Sequence, residues 1–491
     1  MRRLACALVI LGVSVATFVA GASAGSFTAG PLRLASGPSP FATCTVGGPG
    51  TNYPNTEIEP WVDVNPTNAN NIIGVYQQDR WDNGGAHGLV ATVSKDGGVT
   101  WTQSFAHFSI CAGGTAANGG DYERSSDPWV SFAPNGDAYQ IAIAFNQSDF
   151  TNGVLVSKST DGGTTWSEPT TLIRDTSPFN FNDKESITAD PASASRVYAV
   201  WDRTRHPGEN PSFGAFHSAA FRGDIMFSRT TNGGTTWEPA RDILARNANL
   251  FTIGNQIAVL PDGTLIDLFN MGKGSGKQHS PNQFTQAVIR STDHGVTWSD
   301  RPITVALDFD VPVVDPDNPD DFVRAGTFLP DIAVDPNDGT IYVVWADGRF
   351  SGGSHPDVVL SKSTDKGLTW SEPIKVNKTP VDVAAFTPAV DVSANGTVAV
   401  TYYDFRNNTP DKATLPTDFF IVHSHDHGAT FGNELKLTDA SFDMRAAPVA
   451  RGFFVGDYEG LASFGNTFYN LWVQSANDSA NRTDAYLKTA G

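Results

Sequence analysis

Short apolar runs recur in pairs along this chain, each pair broken by Pro, Asn, Asp or Gly. Trp61-Val-Asp-Val-Asn-Pro66 is followed by Ile72-Ile-Gly-Val-Tyr76, Ile187-Thr-Ala-Asp-Pro191 by Val197-Tyr-Ala-Val-Trp201, and Ile332-Ala-Val-Asp-Pro336 by Ile341-Tyr-Val-Val-Trp345. β-Branched and aromatic residues suit a pleated, half-buried surface, so such pairs predict antiparallel hairpins. Seven of them begin near residues 57, 125, 183, 252, 329, 386 and 453. Beyond the first two dozen residues no helical period of useful length appears, and Gly and Pro are spread throughout. The pattern therefore predicts an all-β chain with no second domain.

An eight-residue pattern follows six of these hairpins: Ser94 to Trp101, Ser159 to Trp166, Thr230 to Trp237, Ser291 to Trp298, Ser363 to Trp370 and Ser424 to Phe431, with starts 65, 71, 61, 72 and 61 residues apart. Its form is Ser/Thr-x-Asp-x-Gly-x-x-Trp. Asp96, Asp161, Asp293, Asp365 and Asp426 can accept backbone N–H bonds within a tight turn, Gly98 and its counterparts permit positive φ, and the aromatic packs beneath. Asn232 in the third copy keeps the acceptor oxygen without the charge, which fits a structural clip better than a catalytic acid. The six copies resemble the Asp-box, or BNR, repeat, and the chain is similar to proteins of the sialidase-like superfamily.

Each unit then holds four strands: two in the hairpin, a third ending in the box and a fourth after it, as in Trp166-Ser-Glu-Pro-Thr-Thr-Leu-Ile173. That is one blade of a β-propeller. The seventh unit ends the chain without a fourth strand, and a stretch within residues 26 to 46 is expected to supply it and close the ring. The expected fold is an all-β propeller of four-stranded blades over 57–491, preceded by an N-terminal segment at 25–56. The hairpin count predicts seven blades; the six blades of true sialidases are the alternative.

Composition narrows the function classes. The formal charge of -19 argues against nucleic acid as a partner, because phosphate binding needs a basic footprint. Met1-Arg-Arg3, an apolar run and Ala22-Ser-Ala24 predict a signal peptide cleaved after Ala24, hence a secreted monomer not inserted in a membrane. Cleavage leaves two cysteines, Cys44 and Cys111, which either form a disulfide or stay as buried thiols. No Cys-His cluster has metal-ligand spacing, and no cofactor is expected. The acidic stretch Asp308 to Asp321 lacks an EF-hand pattern and reads as a solvated linker, with a calcium loop as the alternative.

In a four-stranded unit the start of the first strand, the end of the second and the loop to the third share one face, opposite the boxes. That face collects Glu57, Glu59, Arg124, Asp127, Asp183, Lys184, Glu185, Asp331, Asp457, Tyr458 and Glu459. The second strands end in Asp79-Arg80, Asp202-Arg203, Asp347-Gly-Arg349 and Asp404-Phe-Arg406. These are either structural ion pairs capping each hairpin or, with Arg124, a converging set able to hold a carboxylate by bidentate contacts. Inserts at Arg205 to Arg222 and Gly272 to Phe284 would rim the same face as lids.

The sialidase resemblance implies an Arg-held substrate carboxylate, a Tyr nucleophile assisted by a Glu, and an Asp general acid. The segment Asp79-Arg80-Trp81-Asp82-Asn83-Gly84-Gly85 is similar to that family's Arg and acid-Asp loop, which makes Asp82 the candidate acid. Tyr458 is then the candidate nucleophile, with Glu459 or Glu185 as its base. The family's Arg-Ile-Pro motif is missing: Glu57 to Pro60 stands in its place. The leading expectation is a secreted exo-sialidase-like glycoside hydrolase acting on exposed glycans. The alternatives are a non-catalytic propeller that binds a glycan or protein, and a hydrolase using paired carboxylates such as Asp183 with Asp457.

Overall fold

The computed structural model describes residues 27–205, 222–244, 250–273 and 284–491. The expected signal segment at 1–24 and most of the two expected lids lie outside the described residues. The described chain is all-β, built of antiparallel four-strand groups. In the first group Glu57–Val64, Ile72–Arg80, Ala86–Ser94 and Thr102–Ser104 pair in sequence order. The meander repeats in groups whose first strands are Arg124–Phe132, Asn180–Ala189, Leu250–Val259, Asp331–Val334 and Ala385–Val392. One further group joins Gly460–Phe464, Thr467–Asp478 and Asn481–Ala490 to Arg33–Leu34, with Arg33 opposite Leu487 and Leu34 opposite Tyr486.

First strands pack side by side in sequence order, and Gly460–Phe464 packs in turn against Glu57–Val64. Polar side chains knit these neighbours. Asp63 Oδ2 accepts from Phe132 N at 2.7 Å, Ser131 Oγ from Ala189 N at 3.1 Å, and Asp331 Oδ2 from Val390 N at 2.7 Å. Thr188 Oγ1 donates to Ile257 O at 2.8 Å and Ser463 Oγ to Val392 O at 3.1 Å. Apolar layers fill the space between groups, with Trp201, Trp345 and Trp472 of three second strands fully buried.

The six eight-residue turns share one geometry. In all six the Ser or Thr hydroxyl accepts from the N–H of the fifth residue, a glycine, at 2.8–3.0 Å. The Asp or Asn oxygen accepts from the N–H four residues on, also at 2.8–3.0 Å. These bonds satisfy backbone donors that no ladder reaches.

Two features differ from the sequence reading, and one alternative it left open is decided. The acidic stretch is not a linker: Val313–Asp315 and Asn318–Arg324 pair as a hairpin, and the latter runs parallel to Phe453–Phe454. Apolar residues among its carboxylates, Val313 and Val323, are buried, and Asp315 forms an ion pair with Arg445. The last group begins at Gly460 rather than near 453, because Phe453–Phe454 is spent on that hairpin. Finally, Cys44 and Cys111 are joined in a disulfide, which ties the N-terminal segment to the loop after the first group.

Candidate functional site

Near the start of each first strand the chain carries one equivalent dipeptide: Glu59-Pro60, Asp127-Pro128, Lys184-Glu185, Gly254-Asn255, Leu329-Pro330, Thr387-Pro388 and Asp457-Tyr458. In five groups the ladder slips one register there. The residue at the slip has positive φ: Glu59 52°, Asp127 54°, Lys184 48°, Gly254 76°, Thr387 50°. For residues with a Cβ this conformation costs roughly 1–2 kcal/mol. Such bulges re-aim side chains, and backbone strain of this kind clusters at functional sites.

Three of these bulges, with the segment just before Gly460–Phe464, bring side chains from four groups together. Lys184 Nζ lies 3.2 Å from Glu59 Oε1, 3.4 Å from Asp127 Oδ2 and 3.1 Å from Asp457 Oδ2. Arg324, carried in by the acidic hairpin, grips Asp457 with two nitrogens, Nε to Oδ1 at 3.0 Å and Nη2 to Oδ2. Its guanidinium and that of Arg80 both lie against the Phe454 ring, at 4.1 and 5.4 Å. Arg80 donates to Gln77 Oε1 at 2.8 Å, and Gln77 donates to Glu59. Lys184, Asp127 and Asp457 line one channel together with Trp61, Trp129, Glu185, Gln256, Asp331 and Tyr458, with space of about 30 Å³, roughly two waters. Trp61 and Trp129 stack at 3.4 Å, and Tyr458 packs against both.

Burial and charge push these carboxyls apart. Burial drives Glu59 up to about 8 against the pull of Lys184. Burial, with Asp127 adding, raises Asp183 to about 6 and Glu185 well above the carboxylate range. For Asp457 burial is outweighed by Arg324 and then Lys184, so its carboxyl is held well below that range. Burial and the surrounding carboxylates, led by Glu59 and Asp127, raise the Tyr458 phenol well above its ordinary value.

Of the residues singled out from sequence, Tyr458, Glu185 and Glu459 all line the channel. Glu459 is spent elsewhere, accepting from Tyr403 Oη at 2.7 Å and Val473 N at 3.2 Å. The buried Tyr458 Oη and Glu185 Oε2 have no hydrogen-bond partner among the described residues. Asp82 is not among the channel-lining residues; its Oδ1 accepts from Thr51 N at 3.0 Å. Buried Arg124 clamps the N-terminal segment, donating to the carbonyls of Gly47, Pro49 and Gly84. Arg203 pairs with Asp175, Arg349 with Asp347, and Arg406 with Asp404 and Glu434. Arg80 alone of the second-strand arginines joins the central cluster. Sequence reasoning placed Lys184 on this face without a role and missed Arg324. The repeated acidic-residue-Pro step in Glu59-Pro60 and Asp127-Pro128 was a readable signal for the bulge.

No family profile matches the chain, and no curated protein matches it. Solved structures that match include the Hadza microbial sialidase Hz136, at 15% identity and TM-score 0.48 over 85% of this chain and 73% of that one. An α-L-arabinanase of Penicillium chrysogenum complexed with arabinobiose matches at 11% and 0.47 over 94% and 98%. A mutant NanB sialidase from Streptococcus pneumoniae matches at 10% and 0.46 over 88% and 94%.

Proposed function

We propose that the chain is a secreted glycoside hydrolase on a seven-bladed propeller, working at the central cluster. Seven four-strand groups whose first strands pack in cyclic order, with Arg33–Leu34 as the fourth strand of the last, support the blade count and the closure. Export with cleavage after Ala24 is part of the proposal, and the Cys44–Cys111 disulfide fits an oxidising compartment.

One observation carries the chemistry: Glu185 and Asp127 line the same aromatic channel in opposite surroundings. Glu185 keeps a proton because it is buried beside Asp127, whereas Asp127 faces the Lys184 ammonium. A carboxyl that keeps its proton, next to a second carboxyl set against an ammonium, suits glycoside hydrolysis, one to protonate the leaving oxygen and one to assist attack at the anomeric carbon. Trp61, Trp129 and Tyr458 pack on one another beside these carboxyls and shield them from bulk water.

The test is a panel of fluorogenic sialosides, arabinosides and neutral hexosides. With a wild-type substrate in hand, Glu185→Gln and Asp127→Asn each lower kcat by about 10²–10⁴-fold. A panel on which the wild type turns over nothing sinks the reading. The exo-sialidase version, with Tyr458 as nucleophile, Glu185 as its base and Asp82 as acid, draws support from the shared channel of Tyr458 and Glu185. The carboxylates around Tyr458 oppose a phenolate there. Tyr458→Phe decides it: a loss of roughly 100-fold or more on a sialoside supports that version, and near-full activity removes it.

A binding propeller is favoured by a different observation. Arg203, Arg349 and Arg406 are committed to the chain's own carboxylates, and Arg124 to its carbonyls, which leaves glycan or protein contact to the aromatic and amide groups of the face.

A further inference from the structure

On the opposite end of the sheets the fourth position of the box turn departs from its own pattern. It is Gly97, Gly162 and Gly233 in three boxes, all with positive φ, but His294, Lys366 and His427 in the others, at φ 56°, 64° and 56°. A side chain forced into this conformation carries a backbone cost that glycine avoids. Lys366 reaches the hairpin turn of the preceding group, with Nζ 2.7 Å from Asp262 Oδ2. His427 reaches the next such turn: its Nδ1 lies 3.9 Å from both Asp335 Oδ2 and Asp338 Oδ2. The three ligand atoms lie within 4.8 Å of one another.

The repeat supplies an internal control. Asp190 is the third group's counterpart of Asp335, and its Oδ2 is satisfied by Tyr198 Oη at 3.0 Å and Arg196 Nη1 at 3.5 Å. In the fifth group Thr340 replaces that Arg, and the equivalent Tyr342 hydroxyl is itself buried without a partner. Asp335, only 1% exposed, therefore turns Oδ2, which has no hydrogen-bond donor among the described residues, toward the imidazole and the second carboxylate. An orphaned buried carboxylate oxygen is costly, and a cation is what would satisfy it.

We propose that Asp335, Asp338 and His427 form a divalent-metal site of the zinc type, which clamps the hairpin turn of one group to the box turn of the next. One imidazole and two carboxylates suit a borderline ion such as Zn²⁺, whereas Ca²⁺ takes six to eight oxygens. Bonds of about 2.0–2.1 Å in a tetrahedron set ligand atoms roughly 3.3 Å apart. The observed separations, 3.9 Å from the imidazole to each carboxylate oxygen and at most 4.8 Å within the set, close to that by movement of Asp338 and His427, whose side chains are 48% and 62% exposed. Solvent completes the coordination.

The experiment is calorimetric titration of untagged mature protein with Zn²⁺ and, separately, Ca²⁺, beside His427→Gly and Asp338→Asn. His427→Gly restores the residue that three sister boxes carry, so it relieves backbone strain rather than threatening the fold. One Zn²⁺ bound per chain, at least tenfold weaker in both variants, with Zn²⁺ raising the Tm of wild type but not of His427→Gly, is the expected result. Absence of Zn²⁺ uptake, unchanged affinity in the variants, or preference for Ca²⁺ overturns the proposal.

Discussion

Carboxylates crowd both ends of these sheets, and they are in opposite states. At the box turns Asp96, Asp293 and Asp365 are wrapped in hydroxyl and N–H donors and open to water, which pulls each down to about 2. At the central bulges burial and neighbouring acids drive Glu59 up to about 8 and the half-buried Asp183 up to about 6. The residue type is the same. What differs is whether the fold offers donors or removes solvent, and only the second arrangement leaves a proton available near neutral pH.

The comparison breaks most sharply at Lys184. Lys184→Met leaves Glu59, Asp127 and Asp457 facing one another without the shared cation, and an uncompensated buried charge costs about 3–5 kcal/mol. Urea unfolding measures this; a loss under about 1 kcal/mol would mean that the cluster is not held by charge. Glu59 tests the same end by pH. Its folded value of about 8 lies above the ordinary 4.5, so the folded state binds the proton more tightly. The stability this confers is complete below pH 4.5 and is lost as pH rises toward 8. Glu59→Gln removes that loss, so the variant's stability curve is flatter across this window.

At the other end effects are smaller. Ser363→Ala strands the Gly367 N–H and the Asp365 oxygen that its hydroxyl serves, at a cost of about 1 kcal/mol in Tm or urea measurements. Asp365→Asn is the mildest change. The third box already works with Asn232, and solvent screens Asp365, so the cost at neutral pH stays under about 1 kcal/mol. Because its folded value of about 2 lies below the ordinary 3.8, its contribution is present above pH 3.8 and disappears as pH falls toward 2. Asp365→Asn is flat there where the wild type declines.

Local chemistry determined a good deal by itself. Alternation marked the hairpins, and a turn that needs one hydroxyl, one acceptor and one positive-φ glycine within eight residues could be read six times from Ser94 to Phe431, because all its bonds are made within the motif. The end of the sheets where polar residues gather also followed from strand direction. Only the tertiary structure decided which of those residues meet. Arg203, Arg349 and Arg406 follow the same pattern as Arg80 in the sequence, yet each is taken up by a nearby carboxylate while Arg80 joins the cluster. Arg324 stands just past the Asp308 to Asp321 stretch that read as solvated, 133 residues before the Asp457 it holds. Lys184 and Glu59 sit on bulges of two groups and Asp457 just ahead of the first strand of a third, and no local spacing records that they meet. Contacts made within a turn are written in adjacent residues; contacts made across the sheets depend on how the whole chain packs.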